Sequence, residues 1–180
     1  MLPQEVATEM SALTDSLVGA KYEPIAYLGS QVVNGTNYAV LAKQILFTTD
    51  KSENVVVLIF NKKPNEKNAT LVNIERVVSD GAGFGGVKLD VTTDLSDEQE
   101  NIFEEAFKGS VGSNPVPYAF LGTQATKGID YIYAAVLYDL SPYNSDDAVI
   151  VVINPMTKKV SMVDLLEDKY ESTLEYAFNW

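Results

Sequence analysis

The sequence predicts an α+β fold made of two tandem units, each a helix packed on a meandering antiparallel sheet. Three observations lead there. The chain repeats itself: residues 24–38 and 117–131 align without gaps and share 7 of 15 positions, where chance gives about one. An amphipathic stretch of helical period precedes each copy. After each copy come apolar runs of strand composition, separated by Asn-Gly, Lys-Gly and Asn-Pro turns. One helix followed by a run of strands is the pattern of a helix laid on an antiparallel sheet.

Residues 3–18 read as the first helix. Val6, Met10, Leu13 and Leu17 form one stripe, Pro3 suits a first helical turn, and Gly19 suits a C-cap. Strands are expected over about 22–33 and 36–47, joined at Asn34-Gly35, a pair that tolerates positive φ at both turn positions. A polar turn over 50–54 leads to the apolar run 55–60. A loop with Lys63-Pro64-Asn65 then leads to a fourth strand near 69–78. Residues 80–86 are Gly-rich and match G-x-G-x-x-G through Gly81, Gly83 and Gly86. A phosphate cradle needs a helix next, but 87–91 alternates like a strand, so 80–94 reads as a linker with a strand. Ser96-Asp97-Glu98-Gln99 carries a capping-box signature for a second helix to about Lys108 that buries Ile102, Phe103, Ala106 and Phe107. Its hairpin turns at Lys127-Gly128, followed by a strand over 148–153, a loop at Asn154-Pro155 and a strand near 159–166. The aromatic stretch 170–180 reads as strand or short helix. The domains are therefore 1–79, the 80–94 connection, and 95–180.

The composition, 46% apolar in 180 residues, is that of an ordered chain. No run of about 18 apolar residues occurs, and no basic segment followed by an apolar one opens the sequence. The chain reads as a soluble form without membrane insertion. The net charge of −12 lies mostly beyond residue 80, which argues against nucleic acid and anionic membranes as partners and would steer a basic protein toward the second half. With no Cys and no His, disulfides, thiolate nucleophiles and the commonest general base and metal ligand are absent. No metal, cofactor or catalytic residue is expected.

The order helix, strand, Gln31-Val32-Val33-Asn34-Gly35-Thr36-Asn37-Tyr38, strand and Pro-containing second hairpin resembles the cystatins, most closely their disulfide-free stefin branch. In that family the first hairpin carries Gln-Val-Val-Ala-Gly, usually followed by Thr-Asn-Tyr, and inserts into the cleft of papain-like cysteine proteases. Seven of these eight positions match here, and Asn34 stands where Ala is usual. Pro64 falls where the second hairpin loop has its Pro, with Lys63 before it instead of an apolar residue. The resemblance implies two tandem cystatin-like units, each with a curved sheet of four or five strands. It also implies protease contacts at Gln31, Val32, Val33, Asn34, Gly35, Lys63 and Pro64. The second-unit equivalents are Gln124, Ala125, Thr126, Lys127, Gly128 and Pro155, a degenerate motif that matches only at Gln124 and Gly128. Only Met1 and Leu2 precede Pro3, whereas the family has a flexible N-terminal arm with a Gly. Gly85-Gly86-Val87 is the second unit's analogue of that arm.

Two readings follow from the resemblance: an inhibitor of papain-like cysteine proteases, or a non-inhibitory binding module, secreted or surface-attached, that keeps the fold as a scaffold. A pocket enzyme using Asp130, Asp139, Asp146 and Asp147 is the distant third. Asn34-Gly35-Thr36 and Asn68-Ala69-Thr70 are glycosylation sequons in form. The runs 55–60, 131–137 and 148–153 do not alternate, so the outer sheet faces are expected to be covered, by each other or in a homodimer. Val56, Leu58, Val149 and Val151 are taken as the residues that would show it.

Overall fold

The computed structural model describes residues 2–81, 85–112, 114–138 and 146–166. They fall into two units, 2–79 and 80–166, and the stretch 170–180 lies outside the described residues. The first unit opens with α1 (Gln4–Thr14), followed by β1 (Ala20–Val33), β2 (Gly35–Leu46), β3 (Glu53–Lys62) and β4 (Thr70–Ser79). These strands form one antiparallel sheet in chain order. The second unit has β5 (Val87–Thr92), α2 (Asp97–Phe107), β6 (Pro115–Thr126), β7 (Gly128–Leu137), β8 (Asp147–Asn154) and β9 (Lys159–Asp164). Its five strands also pair antiparallel in chain order. The α+β class and the four- and five-stranded sheets are as expected.

The helices sit where their apolar stripes meet a sheet. Val6, Met10 and Leu13 pack with Tyr27, Val40, Ala42, Val56, Leu58 and Phe60. In the second unit Phe103 packs with Phe120, Tyr133, Ala135, Val149, Val151 and Ile153, its ring meeting Tyr133 edge-on at 5.0 Å. Ile102, Ala106 and Phe107 are only partly buried at the margin of that core. The capping box of α2 forms: the Gln99 amide donates to the Ser96 hydroxyl, and the Ser96 amide donates to the Gln99 side chain.

α1 stops at Thr14, short of the expected Val18, and Gly19 is not its C-cap. The Ser16 hydroxyl donates to the Leu13 carbonyl at 2.6 Å, and the Leu17 amide turns back to Thr14. The carbonyls that would extend the helix are thus used locally. Gly19 instead starts the sheet, its carbonyl accepting from the Phe47 amide at 2.8 Å.

Both faces of each sheet are buried along its central strands, β2 and β3 in the first unit and β7 and β8 in the second. Val56, Leu58, Val149 and Val151 are at most 1% exposed, but they face the helices, so they were the wrong residues to report on the outer faces. Those faces belong to their neighbours Leu41, Val55, Val57, Ala134, Val136 and Ile150, which are buried too. A one-residue change of register exchanges the faces of a strand, and runs apolar on both sides leave that register unreadable.

The strands of the two units bend at matching places. β1 shifts register between Pro24 and Ala26 and between Tyr27 and Gly29. β6 does so between Pro117 and Ala119 and between Phe120 and Gly122. The Gly81 amide donates to the Val87 carbonyl at 3.0 Å, and β5 begins at Val87, directly after Gly86. A pyrophosphate would find no helix N-terminus there.

Candidate functional site

In a four-stranded meander the β1–β2 and β3–β4 connections emerge at one end. Here that end carries the predicted motif. Val33 pairs with Gly35 and Val32 with Thr36, leaving Asn34 alone at the apex. Val32 is 84% exposed and Val33 46%, Asn34 is exposed, and Gln31 and Gly35 are half-buried. Only Gly35 takes positive φ, at 96°; Asn34 does not. The two-residue turn with both φ values positive is therefore corrected to a one-residue apex.

Gly35 is required sterically. A Cβ there would lie 2.6 Å from the Lys62 carbonyl oxygen and 3.1 Å from Asn61 Oδ1, so the tip lies flat against the end of β3. Asn61, itself buried, donates from Nδ2 to Asn37 Oδ1 at 2.8 Å and ties β2 to β3 just below the apex. Lys62 Nζ is held by Glu9 of α1 at 2.6 Å and donates to the Lys67 carbonyl at 2.9 Å. The Tyr38 hydroxyl donates to Glu5 Oε1 at 3.4 Å; burial and that carboxylate push the phenol up from its usual value. The first turns of α1 thus brace the same end.

Pro64 and Asn65 are exposed at the start of the β3–β4 loop, beside the tip. Lys63 is half-buried, and its Nζ meets Glu66 at 2.8 Å. Gln31, Val32, Val33, Asn34, Gly35, Lys63 and Pro64 therefore gather on one end of the first unit. The result is a braced apolar tip flanked by a polar loop.

The second unit builds the same end with other chemistry. Thr126 pairs with Gly128, leaving Lys127 at the apex. Ala125, Thr126, Lys127 and Pro155 are exposed. Asn154, 5% exposed, clamps the end. Its Nδ2 lies 2.6 Å from Asp130 Oδ1, 3.2 Å from the Lys127 carbonyl and 3.3 Å from Thr126 Oγ1, and its Oδ1 accepts from the Thr157 amide at 2.9 Å. Gln124 donates to the Gly85 carbonyl at 2.7 Å and pairs with Val87, which puts Gly85-Gly86-Val87 alongside this hairpin. Asn61 and Asn154 are the bracing residues that the sequence reading left without a role. Their signal was visible in it, as the same residue at the same place in each repeat.

Asp130 serves this clamp, also accepting from Thr126 Oγ1 at 3.0 Å. Asp139 lies outside the described residues, and Asp146 and Asp147 stand at the head of β8. Among the described residues no group of three or more His, Cys, Asp or Glu side chains is placed to hold a metal. None of the described helices is long and apolar enough to cross a membrane. No protein-family model, curated protein or solved structure matches the chain.

Proposed function

We propose that the chain inhibits papain-like cysteine proteases by wedging the first unit's hairpin tip into the active-site cleft, with Pro64 and Lys63 as the second contact. The observation that carries this reading is the exposed Val32-Val33 pair on a tip fixed by Gly35, Asn61 and Asn37. Exposed apolar side chains on a fixed tip gain free energy when a partner covers them. Such inhibition needs no chemistry from the inhibitor. Covering Val32 contributes about 2 kcal/mol and Val33 about half that. A tip already ordered before contact keeps the cost of association low. On this reading the units are cystatin-like, and the second unit, with Lys127 at its apex and no Val pair, is not the wedge.

The test is titration of papain with the protein and with Val32→Arg. The substitution sits on an exposed strand end and leaves the fold intact. Stoichiometric inhibition, weakened at least roughly thirtyfold by the variant as the burial term is lost, supports the wedge. No inhibition at micromolar concentration removes it. The scaffold reading, a binding module without protease inhibition, draws on the polar second loop, where Lys63 pairs with Glu66. It predicts that no papain-like enzyme responds.

A further inference from the structure

The two units close the helix side of their tip ends differently. α1 and α2 lie 93 positions apart at both ends, as do the bracing residues Asn61 and Asn154. The helices and the loops after these Asn residues therefore correspond position by position. In the first unit Glu9 of α1 reaches Lys62 at 2.6 Å, and both side chains are largely buried. In the second unit Ile102 stands in the place of Glu9 and Pro155 in the place of Lys62. No ion pair can form there, and between α2 and the β8–β9 hairpin lies a groove of about 540 Å³, within the size range of small-molecule sites. Ile102, Ala106, Ile153 and Val160 supply its apolar walls, and its lining residues all belong to the described stretches. Ile153 is buried; the other three are only partly so.

The charges at the rim select the ligand. Glu105 and Lys158 are the ionisable residues lining the groove. Glu105 is neutralised within the protein by Lys108 at 2.7 Å, about one helical turn on. Lys158 is exposed on the hairpin turn and enters no ion pair among the described residues. Lys127 and Lys159 stand at the same end, next to Asn154, while Asp130 there is engaged by Asn154 and Thr126. An apolar wall with an ammonium at its edge complements a chain of methylenes that ends in an anion. We propose that this groove binds a small amphipathic carboxylate, a linear alkyl acid, with its tail along Ile102, Ala106 and Ile153 and its carboxylate at Lys158. The site is separate from protease inhibition and does not depend on it.

The experiment is titration of the full chain with octanoate, followed by backbone amide chemical shifts, and repeated with octylamine, which has a tail of the same kind and the opposite charge. Octanoate is expected to move the amides of 101–106 and 153–160. It should bind at least roughly tenfold more tightly than octylamine, as attraction at Lys158 becomes repulsion. Lys158→Asn introduces a residue that accepts the positive φ of 57° at this position. It should weaken octanoate about threefold, the effect of one exposed ion contact. The double substitution Ile102→Glu with Pro155→Lys rebuilds the first unit's bridge across the groove and should abolish binding. If that variant fails to fold, as read by urea unfolding, Lys158→Asn and octylamine decide. Octylamine binding as tightly as octanoate, unchanged octanoate affinity in Lys158→Asn, or shifts confined to residues outside the groove overturns the proposal. So does the absence of any shift at millimolar octanoate.

Discussion

Substituting alanine at Gly35 and, separately, at Gly19 isolates the contact that braces the hairpin tip. The two glycines have nearly the same backbone, φ 96° and 99°. Each substitution therefore carries the same strain for an L-residue with positive φ, about 1–2 kcal/mol. They differ in what the new methyl meets: nothing within 4 Å at Gly19, but the Lys62 carbonyl oxygen at 2.6 Å at Gly35. Ordinary contact begins near 3.4 Å, so the end of β3 must yield by roughly 0.8 Å. Lys62 is held there by Glu9 and by the Lys67 carbonyl. Forcing a well-packed site apart costs about 1–3 kcal/mol. Gly35→Ala should therefore unfold at lower urea than Gly19→Ala, by about 2 kcal/mol at equal slope. Equal losses for the two variants would refute the claim that the tip is pressed onto β3.

Three further outcomes are expected. The Tyr118 hydroxyl is buried with no hydrogen-bond partner among the described residues, so Tyr118→Phe should raise stability by about 1 kcal/mol in urea unfolding. Burial holds Tyr118 and Tyr133 well above the ordinary value of 10.0. The folded chain keeps protons there that the unfolded chain releases, so this stability is complete below pH 10 and is lost as pH rises beyond it. Unfolding measured from pH 8 to 11 should show that decline, shallower in Tyr118→Phe. Asn34 and Asn68 are both exposed at the tip end. Material made in a glycosylating secretory host should gain mass at these sequons, and a glycan on Asn34 should block papain inhibition, with Asn34→Gln restoring it.

The elements were legible where one local signal dominated. The capping box placed the start of α2, the stripe Val6, Met10, Leu13 placed α1, and the matching Pro and Gly pairs placed the long hairpins. The sequence misled where side chains compete with the backbone or where both faces of a strand are covered. Ser16 ends α1 early through one hydroxyl, which no periodicity reveals. In Val55–Val57 and in Val149–Val151 every position is apolar, so nothing marks which residues face the helix. The motif residues were found as a string, but what holds them rigid is non-local. The Glu9–Lys62 pair joins α1 to β3, and Asn61 joins β3 to β2. Only the folded register brings those groups together.

The central claim, that the first hairpin tip is the binding wedge, is tested most directly by mapping which amides papain protects. On addition of one equivalent of papain, hydrogen exchange should slow in the peptides spanning 31–35 and 63–65 and stay unchanged over 124–128. Protection confined to the second unit's hairpin, or to the opposite end near Val18 and Phe47, would contradict it.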